Sequence, residues 1–156
     1  MLNKFIQNQI IVKKSSTATI TMPPSLNTMY VNVPGKGRVK NGKYDLWGNS
    51  VIPYLALALY RVEGEVHIHY QFHLGSAFRG DISNRIKPVE DALVKAGIIT
   101  DDNHKVVKAF SVGLDYEKDQ GSSVTVTVTS LKKNSAIAIY EIIERFKSAL
   151  SNLHKD

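Results

Sequence analysis

Between Glu65 and His73 apolar and polar residues alternate without a break. Val66, Ile68, Tyr70 and Phe72 fall on one side; Glu65, His67, His69, Gln71 and His73 fall on the other. A β-strand sends successive side chains to opposite faces, so this period of two predicts a strand with one buried apolar face and one polar face. The apolar face has to be covered by another layer, and the flanking segments supply candidates for it.

Thr17 to Met22 is β-branched in character and runs into Pro23-Pro24, which stops a strand. Pro34 to Asn49, rich in Gly, Lys and Asn, reads as a loop, and Ser50 to Arg61 as a helix with Pro53 in its first turn. After the alternating strand, Ser83 or Asn84 is suited to cap a helix reaching about Ala96, with Gly97 just past its end. Pro88 lies early in that helix and costs it a backbone hydrogen bond.

Val106 to Asp115 predicts a third strand. Val124, Val126 and Val128, interleaved with threonines, predict a fourth, and Glu117 to Gly121 reads as a hairpin joining the two. Ile139, Ile142, Ile143, Phe146 and Leu150 recur at helical spacing in a C-terminal amphipathic helix suited to core or dimer packing. The predicted order is β-α-β-α-β-β-α. That is an α+β class, with a mixed sheet of about four strands covered by helices, in one domain over residues 1–156.

A chain of 156 residues is long enough to bury a core without covalent staples. Twenty Lys and Arg against 14 Asp and Glu give a net charge of +6, which suits a polyanionic partner. The absence of cysteine excludes disulfides, thiolate zinc sites and cysteine nucleophiles, and fits a reducing compartment. Met1 to Val12 lacks the layout of a signal peptide, and the apolar run Val51 to Tyr60 is too short to cross a bilayer. The expectation is a cytoplasmic protein with no membrane partner.

Chemistry concentrates in Arg79-Gly80-Asp81-Ile82-Ser83-Asn84-Arg85-Ile86-Lys87-Pro88, followed by Asp91-Ala92-Leu93 and Asp101-Asp102. A helix from Ser83 to Ala96 advances about 20 Å at ~1.5 Å per residue. An extended return over Ile98 to Asp102 covers roughly 16 Å, so Asp102 can come back toward Asp81. Ser83, Lys87 and Asp91 share a helix face at i, i+4, i+8. Clustered carboxylates repel one another, and a hard divalent cation with oxygen ligands relieves that repulsion. Such an ion activates water against a phosphodiester, and Lys87 adds positive charge where the transition state gathers negative charge. The same residues also read structurally. Asp81 is then a helix N-terminal carboxylate, Asp101-Asp102 a turn, and Lys87–Asp91 a surface pair.

At these positions the chain resembles the RusA family of endodeoxyribonucleases. The family's Asp-x-Asp-Asn-x-x-Lys, Asp-Ala-Leu and Asp-Asp blocks correspond to Asp81 through Lys87, to Asp91-Ala92-Leu93 and to Asp101-Asp102 before Val106-Val107. Upstream, Pro23-Pro24-Ser25-Leu26-Asn27 with Tyr30 resembles the family's Pro-Pro-Ser-x-Asn start, and Arg38 corresponds to the arginine of its basic loop. The resemblance runs from about Met22 to Ser130 and leaves out the C-terminal helix.

The resemblance implies magnesium-dependent hydrolysis (manganese as a substitute) of four-way, or Holliday, junction DNA by a homodimer, in recombination and repair. It implies Asp81, Lys87 and Asp102 as catalytic residues. Asp81, Asp102, Asp101 and Asp91 would be the metal-binding carboxylates, with Ser83 and Asn84 beside them and Arg79 and Arg85 contacting DNA. Ser83 departs from the pattern, because the family usually has a second aspartate there. A serine hydroxyl can ligate magnesium but carries no charge, so a weakened nuclease, or a branched or single-stranded DNA binder that no longer cuts, is the alternative.

Gly37 to Tyr44 nearly spells a phosphate-binding P-loop but has Tyr44 where Ser or Thr must reach magnesium, so no nucleotide cofactor is expected. The same stretch offers Lys36, Arg38, Lys40 and Lys43 near Tyr44 and Trp47, a composition suited to DNA backbone contact and base stacking, or to a solvated loop. His67, His69 and His73 share a strand face. A His-x-His pair can bind zinc, and it equally forms the polar side of a half-buried strand.

Overall fold

The computed structural model describes residues 14–131 and Ile143. In chain order these form β1 (Ser15–Thr21), a 3-10 turn (Leu26–Thr28), β2 (Tyr30–Val33), β3 (Gly37–Lys40), α1 (Gly42–Ala58), β4 (Val66–Gly75), α2 (Ser83–Lys95), β5 (Val107–Glu117) and β6 (Ser123–Ser130). The class is α+β with a mixed four-stranded sheet, as expected. The C-terminal isoleucine stripe lies outside the described residues, apart from Ile143.

β4 is the strand that its alternation predicts, buried and half-buried in strict turn along its length. Its apolar side, with Ile68, Tyr70 and Phe72 wholly buried, faces Val124, Val126 and Val128 of β6 and Leu55, Val89 and Leu93 of the helices in one core. Each such side chain stabilises the fold by roughly 1.5–3 kcal/mol relative to exposure. Among the described residues no polar or charged residue is buried. The opposite sheet face carries paired hydroxyls of β1 and β6: Ser15–Thr129, Thr17–Thr127 and Thr19–Thr125.

Several expectations are corrected. Pro34 to Asn49 is not a loop: residues 34–36 turn the antiparallel hairpin of β2 and β3, β3 follows within the stretch, and α1 already starts at Gly42. The Asn41 side chain caps α1 by accepting from the Lys43 amide (3.1 Å), and Asp45 in the first turn complements the helix dipole. Tyr44, Gly48, Val51 and Leu55 then give one buried face, which outweighs the glycines that suggested a loop. Pro53 consequently sits inside the helix rather than in its first turn.

The third correction concerns topology. The sheet order is β1-β6-β4-β5, so β5 and β6 do not pair as a hairpin. β4 lies between them, parallel to β5 and antiparallel to β6. The chain from β5 to β6 therefore passes over the end of β4. Gly75 sits beneath it, where a Cβ would strike the Gln120 carbonyl oxygen. The Gly75 amide also donates to Ser122 Oγ (3.0 Å).

The unit that carries the chemistry is β4-α2-β5, a parallel crossover. α2 begins with Ser83 as its first helical residue, so neither Ser83 nor Asn84 caps it as expected; Ile82 holds the cap position without a side-chain hydrogen bond. It ends at Lys95, and Gly97 follows in the left-handed region (φ 70°). Ile98 and Ile99 are buried, and the Ile98 carbonyl accepts from the Val62 amide (2.8 Å). This anchors the return of the chain beside α2 that sends Asp102 back along the helix.

Candidate functional site

Lys87, on the second turn of α2, projects its ammonium between two carboxylates. It pairs with Asp102 Oδ2 from the returning segment and with Asp91 Oδ1 one turn along the helix (3.0 Å). The Tyr44 hydroxyl, from the first turn of α1, donates to the other oxygen of Asp91 (3.2 Å). Three elements distant in sequence thus meet at one half-covered cluster. Two carboxylates and one ammonium leave it net negative.

Burial alone lowers the Lys87 pKa, but the hydrogen bonds its ammonium donates to Asp102 and Asp91 outweigh it, and the net shift is upward. Lys87 is therefore a fixed cation at neutral pH. Burial first, then the Asp91 charge, pushes the Tyr44 hydroxyl up to about 12. Glu90 lies on the same helix, and its Oε1 accepts from the buried Tyr70 hydroxyl (3.3 Å). Burial raises the Glu90 carboxyl above its usual range, with Lys87 opposing. Tyr70 is shifted upward in turn, by burial and then by Glu90.

The fold brings together Lys87, Asp91 and Asp102 from the predicted residues. Asp81 is engaged elsewhere: its carboxylate accepts from the Ser83 amide (2.9 Å) and the Asn84 side-chain amide (3.3 Å), at the start of α2. Asp101 accepts from the Asp102 amide (2.7 Å) and from Asn103 Nδ2 (2.5 Å), which stabilises the turn. Among the described residues neither the Asp81 nor the Asp101 carboxylate pairs with the Lys87 ammonium; Asp101 meets the cluster only through the Asp102 backbone amide.

A magnesium ion needs few protein ligands, taking one or two carboxylates and filling its shell with water and substrate phosphate. Asp91 and Asp102 are hard oxygen donors already converging on one positive charge, so the donor chemistry fits such an ion. No group of three or more His, Cys, Asp or Glu side chains is arranged to hold a metal among the described residues. A fuller cage is therefore not formed, and Lys87 occupies the space between the two carboxylates.

Of the proposed DNA contacts, Lys36 and Arg38 lie on the exposed hairpin and Lys43 on the exposed first turn of α1. Arg38 stacks over the Tyr30 ring (4.8 Å), and Lys40 lies over Tyr44 (5.1 Å) while pairing with Asp45 (2.5 Å). Arg79 donates to the carbonyls of Ser76 and Phe78 in its own loop. Arg85 is turned inward, donating to the Pro23 carbonyl (2.6 Å) with its guanidinium over Phe78, and burial lowers its pKa. It holds the Pro23-Pro24 segment against α2 instead of facing solvent.

Tyr44, Glu90 and Tyr70 were not predicted as members of this cluster. Glu90 was legible from its i, i+3 spacing to Lys87. Tyr44 had no local signal, because its partner lies 47 residues away. The histidines lie on the polar face: His67 and His69 both bond Ser111 Oγ (3.1 and 2.8 Å), and His73 Nε2 bonds Thr125 Oγ1 (3.0 Å), while the buried His73 Nδ1 makes no hydrogen bond and lies 3.6 Å from the Glu117 carboxylate.

Neither family models nor curated proteins give a match to the chain. Among solved structures, hydrogenase maturation protein HypE in complex with ATP aligns with a TM-score of 0.33 and 13% identity, over 76% of this chain and 30% of that one. This likeness is too weak to carry an argument about fold or ligand. Among the described residues no helix is long and apolar enough to cross a membrane.

Proposed function

We propose that this chain is a RusA-like, magnesium-dependent endodeoxyribonuclease that acts in the cytoplasm as a homodimer on four-way junction DNA, each protomer nicking one strand. The observation that carries the reading is the meeting of Lys87 with Asp102, fifteen positions apart. The family resemblance assigns those two positions to one catalytic site, and the fold makes them neighbours.

In this reading the exposed cations Lys36, Arg38 and Lys43 hold the sugar-phosphate backbone, so affinity falls with salt. Lys87, held charged by two carboxylates, faces the negative charge that builds on the phosphate during attack. Tyr44 fixes the rotamer of Asp91 and through it the position of the ammonium. Asp102 and Asp91, with Asp81 after a change in its side chain, are the residues that would hold magnesium. When bound, the ion supplies the activated water and the charge neutralisation that phosphodiester hydrolysis requires.

A second reading is favoured by two observations: Ser83 stands where the family has a carboxylate, and the Lys87 ammonium lies between the two carboxylates. It is a branched-DNA binder that does not cut. A synthetic four-way junction, incubated with the chain with and without magnesium alongside plain duplex, separates the two. Nicking of the junction that needs metal and is lost in Asp102→Asn supports the enzyme. Salt-sensitive junction binding that persists in chelator, with no nicking at any metal concentration, supports the binder. Binding that ignores branching overturns both.

A further inference from the structure

Among the described residues the core side of the sheet is not covered to its edge. Register pairs Ile68, Tyr70, Phe72 and Leu74 of β4 with Phe110, Val112, Leu114 and Tyr116 of β5, so all eight side chains lie on one face. The first four are 0–6% exposed, whereas the four on β5 are 58%, 42%, 47% and 78% exposed. The Phe110 ring meets Tyr70 edge-on (6.4 Å between centroids), which ties the stripe to the core face. α1 packs on β1 and α2, so among the described residues neither helix covers β5, the edge strand.

The sequence carries a second apolar stripe. Ile139, Ile142, Ile143, Phe146 and Leu150 recur at helical spacing, with Glu141, Glu144, Arg145 and Lys147 between them. Ile143 is helical and 45% exposed. We infer that the C-terminal segment 132–156 docks this face on the Phe110–Tyr116 stripe of its own chain and completes the core.

Chain geometry favours that occupant. β6 ends with Ser130 beside Val66, and the Leu131 amide donates to the Glu65 carbonyl (2.9 Å). Val66 is also paired with Val107, where β5 begins. The chain thus leaves the sheet two strands from the stripe, about 10 Å at ~4.8 Å per strand. Residues 132–138 reach up to about 23 Å when extended. The stripe is about 20 Å long at ~3.3 Å per residue, and a helix from Ile139 to Leu150 is about 18 Å long at ~1.5 Å per residue. A tethered segment of matching length meets the stripe at a high effective concentration, which a second molecule lacks. The N-terminal segment enters at β1, three strands away.

The cysteine-free chain permits a direct test. Leu114→Cys is combined with Ile142→Cys in the full chain and treated with a short bismaleimide. The control pair is Ala109→Cys with Ile142→Cys, because Ala109 lies on the opposite face of β5. The expected result is a cross-link of monomer mass in the first pair and at least fivefold less in the control. In Leu114→Cys alone, adding Phe146→Glu is expected to speed maleimide labelling of the introduced thiol several-fold. A product of dimer mass would show that a second copy covers the stripe, and equal yields in both pairs would show that nothing does. Either result overturns the inference, and neither bears on DNA cleavage.

Discussion

Lys87 and Asp102 form an ion pair across fifteen positions of sequence, and a second carboxylate, Asp91, holds the same ammonium at 3.0 Å. The pair exists because α2 ends at Lys95 and the buried Ile98-Ile99 step turns the chain back along it. A charge placed this way is fixed before any substrate arrives, which is the condition for electrostatic stabilisation of a transition state.

Lys87→Met removes that charge while keeping the stem. Junction nicking is expected to fall by about 100-fold or more, with binding to the junction retained. Asp91 and Asp102 are left unneutralised, so added magnesium should raise the melting temperature of the variant more than that of the parent. Equal magnesium shifts in the two proteins would argue against a divalent ion at these carboxylates.

Ser83→Asp adds a carboxylate on the helix face that carries Lys87 and Asp91. Metal-dependent nicking is expected to rise, and the magnesium concentration for half-maximal rate to fall. An unchanged magnesium dependence would place Ser83 outside the metal's reach.

Tyr44→Phe deletes one hydrogen bond to a charged acceptor and leaves the ring against Trp47. The expected loss is about 1.5–3 kcal/mol of stability, with a several-fold drop in nicking and no change in junction affinity. Urea unfolding and single-turnover cleavage measure the two effects separately.

Glu90 links stability to pH. Its folded-state pKa is raised by burial, against Lys87. A carboxyl of this kind favours the fold while protonated. The contribution is full below the ordinary glutamate value, near 4.3, and is lost as pH climbs through the raised one. Glu90→Gln stays neutral throughout, so it should be more stable than the parent near pH 8 and lose that advantage near pH 4. Urea midpoints across this range give the sign directly.

Gly75→Ala tests the crossing of the β5–β6 connection over β4. The added methyl meets the Gln120 backbone carbonyl, which cannot rotate away as a side chain would. A destabilisation of about 1–3 kcal/mol is expected. A neutral result would mean that the connection does not press on the end of β4.

Much of the fold was written locally. The alternation from Val66 to Phe72 specified β4 and its buried face, and the Ser83 to Gly97 pattern specified α2 and its left-handed end at Gly97 (φ 70°). The start of α1 was obscured, because Gly42 and Gly48 weigh against a helix until Asn41 caps it and Tyr44 and Gly48 pack inward. The hairpin β2–β3 was likewise hidden among its glycines, although Gly35 and Gly37, both at positive φ, are what turn it.

By itself the sequence determined the strand and helix periods and the residue types available for chemistry, because each depends on neighbours a few positions away. Only the tertiary structure decided that β6 pairs with β4 and not with β5, that Tyr44 reaches Asp91, and that Arg85 faces Pro23. It also decided that Asp102 comes to Lys87 while Asp81 stays at the helix start. Those outcomes depend on which apolar faces cover one another, and that competition is settled across the whole core.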